Sequence, residues 1–257
     1  MDEGGQRKRA RWIKAVAILS LLLIWEIAAR LVGSAIIIPT PENTLLKLAQ
    51  LLQTGGFWDA VGATIARGLL GFLVSLFTGV IVGVAAGASS IVRSGVSPVL
   101  TVLRATPVMS VILLALIWFQ SDWVPVFVAF LMVFPILCGN MIEGVRNVDR
   151  GLLKMTSIYG IRRRRVIFGV YLPSALPYLM AAMTSAVGIT WKVVIAAEVL
   201  SQPLHAVGTG LQLSKYRLDT AAVFAWTFVA IALTALSEHA LERVNSRLPW
   251  RRSDSGN

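Results

Sequence analysis

Six apolar stretches, near residues 13–32, 66–88, 98–119, 123–142, 176–200 and 221–241, each match the roughly 20 residues of helix that cross a hydrocarbon core. Inside lipid an unpaired backbone N–H or C=O has no water to turn to, so runs of this length fold as helices. The chain is therefore predicted to be all-α and polytopic, with six transmembrane helices in one membrane domain over residues 1–257. Composition agrees: 56% of the residues are hydrophobic and 14% charged, where soluble domains carry about a quarter charged. Arg7, Lys8, Arg9, Arg11 and Lys14 lead into the first stretch as they would into a secretory signal. That stretch carries Glu26 and Arg30, spaced to pair with each other, and no A-x-A site follows. It reads as an uncleaved first span.

Orientation follows from the basic residues. With a cytoplasmic N-terminus, Arg7, Lys8, Arg9, Arg11, Lys14, Arg93, Arg146, Arg150, Lys154, Arg162 to Arg165, Arg243, Arg247, Arg251 and Arg252 fall inside. Only Lys47, Lys215 and Arg217 fall outside, and Arg30, Arg67, Arg104 and Lys192 lie within spans. Both termini are thus expected in the cytoplasm: a basic segment over 1–12, a tail over 244–257, and between them a long inner loop over 146–175. The same rule accounts for the formal net charge of +11, so nucleic acid is not expected as a partner and the lipid bilayer is. A lone Cys138 and two distant histidines, His205 and His239, offer no disulfide, metal site or Cys/His nucleophile. No GxxxxGK[ST] loop is present to bind a nucleotide phosphate. Neither a metal nor a cofactor is expected on this chain.

On the outer side, "IPTPENTLLKLAQLL" reads as a turn at Pro39–Pro41 followed by a short interfacial helix with Leu45, Leu48 and Leu52 near one face. The segment "SQPLHAVGTGLQLSKYRLDT" after the fifth stretch reads as a loop, punctuated by Pro203, Gly208 and Gly210. Trp25, Trp58, Trp118 and Trp123 sit near the expected interfaces and read as aromatic-belt anchors.

The inner loop is the unusual part. "GLLKMTSIYGIRRRRVIFGVYLPSALP" begins after Asp149, a candidate N-cap for a helix through Tyr159 that sets Leu152, Met155 and Tyr159 near one face with Leu153 beside them. Gly160 can take the left-handed conformation that ends a helix. A second helix carries Arg162 to Arg165 toward Leu172, and Pro173 and Pro177 suit the start of the next span. Such an elbow is either a docking knob or a solvated basic loop touching anionic headgroups; spacing alone leaves both open.

The segment resembles the cytoplasmic EAA loop of ATP-binding-cassette importer permeases, with Lys154-Met155-Thr156 at the Glu-Ala-Ala positions, Gly160 at the glycine and Leu172-Pro173 at the Leu-Pro. "WEIAARLVG", "IPTPENTL", "VLRATPVMSVILLALIWF", "FPILCGNMIEGVRNVD" and "GITWKVVIAAEVL" extend the resemblance over nearly the whole chain. The ordered set is similar to the branch serving sulfonates, taurine, nitrate and related small ligands. The resemblance implies a type I importer fold and a multi-pass protein of the bacterial cytoplasmic membrane. It implies a permease without enzymatic activity that forms a dimer, with a second copy of this chain as the expected partner. Two cytoplasmic ATPase subunits would bind ATP and Mg, and a periplasmic or lipid-anchored protein would deliver a small ligand, for which Arg104 and Lys192 near a path would favour an anion. Leu152, Leu153, Lys154, Met155, Thr156, Tyr159, Gly160, Arg162, Leu172 and Pro173 would then form the contact with the ATPase. Lys154 reverses the charge of the family's glutamate. That departure implies an ATPase with a matching acidic residue, a coupling by shape and the arginine cluster, or a degenerate subunit beside a more typical permease.

Ionisable residues inside spans are costly and usually face protein or a cavity. Arg104, Lys192 and Glu198 are the candidates for a substrate path. Snorkelling to headgroups is the simpler reading of Arg104. Lys192 is too deep for that, and Glu198, six residues on, faces another side of the helix. Glu198 resembles a recurrent family glutamate, whose default role is structural hydrogen bonding. A channel or carrier working alone is the competing class, which would show paired broken helices or an inverted repeat; an intramembrane enzyme would need a catalytic set that the spans lack.

Overall fold

The computed structural model describes residues 3–246. Arg247, Arg251 and Arg252 of the expected basic tail lie outside the described residues. Eleven α-helices follow in order among these residues: α1 Glu3–Val32, α2 Pro41–Leu52, α3 Gly55–Ala88, α4 Ser90–Ala105, α5 Val108–Trp118, α6 Val124–Arg146, α7 Arg150–Ile158, α8 Arg163–Val166, α9 Leu172–Ser201, α10 Val207–Tyr216 and α11 Thr220–Ser246, with a π turn at Ile167–Tyr171 between α8 and α9. Helices α1, α3, α6, α9 and α11 contain segments long and apolar enough to cross a membrane, and α4 with α5 supplies a sixth span if the bent pair is counted as one.

That bend corrects the continuous third span expected over 98–119. The two halves meet at 100°. Pro107 has no N–H and crowds the residue before it, pushing Thr106 out of the helical region to φ −73°, ψ 125°. The Thr106 hydroxyl folds back onto the Val102 carbonyl at 2.8 Å and helps close the end of α4. Upstream, Ser89 caps α4 through the Val92 N–H, so residues expected in a loop are helical.

Two compact units divide the chain. The larger holds residues 60–209 and the last part of α11. Its centre is the seam of α6 and α9, where Val133, Leu137, Met141 and Val145, one helical turn apart, pack on Ala175, Leu179, Ala182 and Ala186, joined by Phe72 of α3. The small side chains on α9 let the backbones approach. Glycine does the same for α3: a Cβ at Gly83 or Gly87 would stand 2.6 Å from Met141 or 2.5 Å from Val145. Cys138 is fully buried here beside Ala86, Leu100 and Ile142.

The smaller unit contains α1, α2, the start of α3 and residues 210–229. Thr40 caps α2 through the Asn43 N–H at 3.3 Å, and Pro41 occupies its first turn. Trp25, expected at a lipid interface, instead stacks on Phe224 with ring centroids 5.5 Å apart and donates its indole N–H to the Pro39 carbonyl at 3.0 Å. Lys47 of α2 pairs with Asp219 at 2.6 Å, just ahead of α11. Glu26 and Arg30 pair on α1 as their spacing predicts.

The expected outer loop is also corrected: Val207–Tyr216 is helical. Gly208 and Gly210 interrupt nothing. Each is a point of close contact, where a Cβ would meet Glu198 at 2.5 Å and the Trp226 ring at 2.4 Å respectively.

Candidate functional site

The elbow is built by local signals. Asp149 lies outside the helical region at φ −57°, ψ 121°, and its carboxylate accepts the Gly151 N–H at 2.7 Å, starting α7. At the other end Gly160 adopts φ +60°. Its N–H reaches the Ser157 carbonyl at 3.2 Å while the Ile161 N–H reaches Thr156 at 3.0 Å, so the last carbonyls of α7 are satisfied as the chain reverses. The Thr156 hydroxyl spends its proton on the Leu153 carbonyl at 2.8 Å. Leu152, Met155 and Tyr159 share one exposed face, with Ile158 81% exposed beside them. Lys154 and Arg162 are exposed, and Leu153 and Thr156 are half-buried.

The second helix expected after Gly160 is only the single turn of α8. It widens into the π turn, which passes directly into α9. Pro173 follows the π turn in a helix that runs on from α8, and Pro177 lies further within it, so neither marks a helix start. Leu172 packs onto the α6–α9 core. The knob thus stands on a root fixed in the core while its apolar tip is bare.

At the far end of α9, Glu198 is fully buried. Its carboxylate accepts the Thr64 hydroxyl at 2.9 Å, an Arg67 N–H at 3.0 Å and the Gly208 N–H at 3.2 Å. Thr64 in turn accepts the Val207 N–H at 3.0 Å, and Arg67 also donates to the His205 carbonyl at 2.9 Å and pairs with Asp122. One carboxylate therefore ties α3, α9 and the start of α10 together. With its oxygens occupied and no exposed surface, Glu198 does not line an open path in this structure.

Arg104 is exposed near the end of α4. It lies across Gly139 and donates to the Pro135 carbonyl at 2.8 Å. Lys192 is exposed on α9, six residues from Glu198 and on a different side, as expected. The structure does not bring Arg104, Lys192 and Glu198 into one constellation. Thr64, Arg67 and Asp122 were missed from sequence. Arg67 carried the signal, because a guanidinium inside an apolar stretch needs a counter-charge, and Glu198 was the buried carboxylate available to it.

The family described as "Binding-protein-dependent transport system inner membrane component" matches residues 75–248, which take in the α6–α9 core and the elbow. The chain belongs to this family. As a member of this transport family it is a membrane-spanning permease subunit and not an enzyme. Two relatives show the range. The taurine transport system permease protein of Escherichia coli (strain K12) is 27% identical over 245 residues, covering 92% of this chain and 89% of that protein. The bicarbonate transport system permease protein of Synechococcus elongatus is 29% identical over 203 residues, covering 74% and 72%. Among solved structures, a bacterial ABC transporter involved in the import of the acidic polysaccharide alginate is similar in fold, with a TM-score of 0.61 at 15% identity over 95% of this chain and 99% of that chain. The all-helical importer-permease fold expected from sequence is the fold observed.

Proposed function

We propose that this permease imports a small anionic ligand of the sulfonate, taurine, nitrate or bicarbonate kind, received from an external binding protein and driven by a separate ATPase docked on the 149–173 elbow. The observation that carries this reading is the elbow itself: a capped helix and a left-handed glycine present Leu152, Met155 and Tyr159 bare, on a root held by Leu172. A solvated loop has no use for a rigid apolar tip, whereas a partner's groove does. The names of the relatives support the ligand class.

In this reading both termini and the elbow are cytoplasmic, in keeping with the basic residues. The permease works as a dimer of two copies of this chain with two ATPase subunits, which hold the ATP and Mg. Lys154, Arg162 and the α7 face contact the ATPase, and Gly160 and Pro173 set the angle of the knob.

The test is co-expression with candidate ATPase subunits from neighbouring genes, followed by purification in detergent. Wild-type chain should carry the ATPase through size exclusion. Gly160→Val should lose it while α9 stays folded, because a β-branched residue at φ +60° cannot hold the reversal. A monodisperse wild-type chain that never retains the ATPase would refute the reading and favour a channel or carrier that works alone.

A further inference from the structure

At the end of α6 that leads into the elbow, a recess of about 420 Å³ opens between Arg93, Ser97 and Arg104 of α4 and Asn140, Glu143 and Arg146 of α6. The α4 residues fall on one face, at i, i+4 and i+11. Three guanidiniums meet one carboxylate here, and Glu143 is already paired with Arg146 at 3.2 Å. No carboxylate among the described residues pairs with Arg93 or Arg104. Arg104 gives one N–H to the Pro135 carbonyl and keeps the rest of its fork. Asn140 gives one amide hydrogen to the Ile136 carbonyl at 2.9 Å and keeps the other.

In the recess the Arg104 guanidinium lies against the bare backbone of Gly139, where a Cβ would stand 2.0 Å from its Nη2 atom. A cavity with surplus positive charge and planar donor forks matches an oxyanion and repels a cation. We propose that this recess binds a small oxyanionic group, a sulfonate or a phosphate. Two sources carry that chemistry at this basic end: a free small anion, or the phosphate of an anionic lipid. The proposal goes beyond the import reading, since binding here requires neither the ATPase nor a delivery protein.

The experiment uses the full-length chain in phosphatidylcholine nanodiscs, titrated calorimetrically with ethanesulfonate. In parallel, discs containing phosphatidylglycerol are dissolved in neutral detergent and the lipid retained on the protein is counted by mass spectrometry. Arg93→Gln and Arg104→Gln should each weaken binding by roughly tenfold or more, the loss of a charge-assisted contact. Saturable ethanesulfonate binding lost in these variants identifies a free-anion site. Phosphatidylglycerol retention lost in them, without ethanesulfonate binding, identifies a lipid-phosphate site. Binding of neither probe to the wild-type chain overturns the proposal. So do Arg93→Gln and Arg104→Gln binding like wild type, or an equal loss in the distant control Lys215→Gln.

Discussion

Replacing Arg67 by Met would test whether the Glu198 cluster holds α3, α9 and α10 together. Among the described residues Arg67 supplies the only cation within contact of the buried carboxylate, at 3.0 Å. After the substitution Glu198 keeps the Thr64 hydroxyl and the Gly208 N–H, two neutral donors, with no charge to balance its own. Breaking a buried ion pair on one side costs about 3–5 kcal/mol, because the remaining charge stays desolvated. Asp122, 65% exposed, simply returns to water. Taking about 3 kcal/mol, and about 2–4 °C per kcal/mol for a chain of this size, the unfolding midpoint should fall by roughly 6–12 °C. The protein carries its own reporter, since Cys138 is its one cysteine and is 0% exposed. A fluorogenic maleimide should label Cys138 only as the α3–α6 packing opens on heating. Arg67→Met combined with Glu198→Leu removes both charges and should recover at least half of the loss. A single-variant shift under about 2 °C, or a double variant as unstable as the two singles added, would refute the reasoning.

Gly208→Ala places a Cβ 2.5 Å from that of Glu198 and 2.6 Å from the Val199 nitrogen. Overpacking of this kind costs about 1–3 kcal/mol, so the same labelling assay should show a midpoint lowered by roughly 2–12 °C, and an unchanged midpoint would show that α10 moves freely. Asp219 offers a pH test. Burial pushes its carboxyl up, but the hydrogen bond from Lys47, the Ala222 N–H and the charges of Lys47 and Arg217 outweigh burial and hold it below the ordinary aspartate value. A depressed folded-state value means that the Lys47 pair adds stability at neutral pH, which is lost as pH falls below about 4. Asp219→Asn should flatten the acid limb of a stability–pH curve, and identical limbs for the two proteins would exclude the pair as its cause. Lys154→Glu, which restores the family's usual charge, should lower ligand-stimulated ATP hydrolysis with the chain's own ATPase, because wrong-sign juxtapositions cost several kcal/mol. Equal or higher hydrolysis would place recognition in shape and the arginine cluster.

The elbow was legible in the sequence because every device in it is local. Asp149 caps the helix that begins one residue later, and Gly160 reverses the chain where α7 runs out of periodicity. The third span was misread for an equally local reason that hydropathy hides. Residues 98–119 carry a single charge, Arg104, and pass as one apolar span, yet Pro107 acts on the backbone of Thr106 and not on its polarity, and the helix breaks there. Gly208 and Gly210 were misread in the opposite sense. Glycine marks a turn when the chain must bend and a contact when another element must come close, and the sequence does not distinguish the two.

By itself the sequence determined which segments leave water, that they must be helical, which ends are basic and where the elbow turns. These follow from the cost of unpaired backbone in lipid and from effects that act within one helical turn. Only the tertiary structure decided what the charges do. Arg67 and Glu198 are 131 positions apart and become one buried pair. Arg104 and Gly139 meet across α4 and α6 to shape a recess that neither helix signals alone. Such pairings depend on which faces pack and at what depth. Depth is set when α6 and α9 close their seam, since in a low dielectric a charge takes whatever opposite group or carbonyl that packing brings within reach.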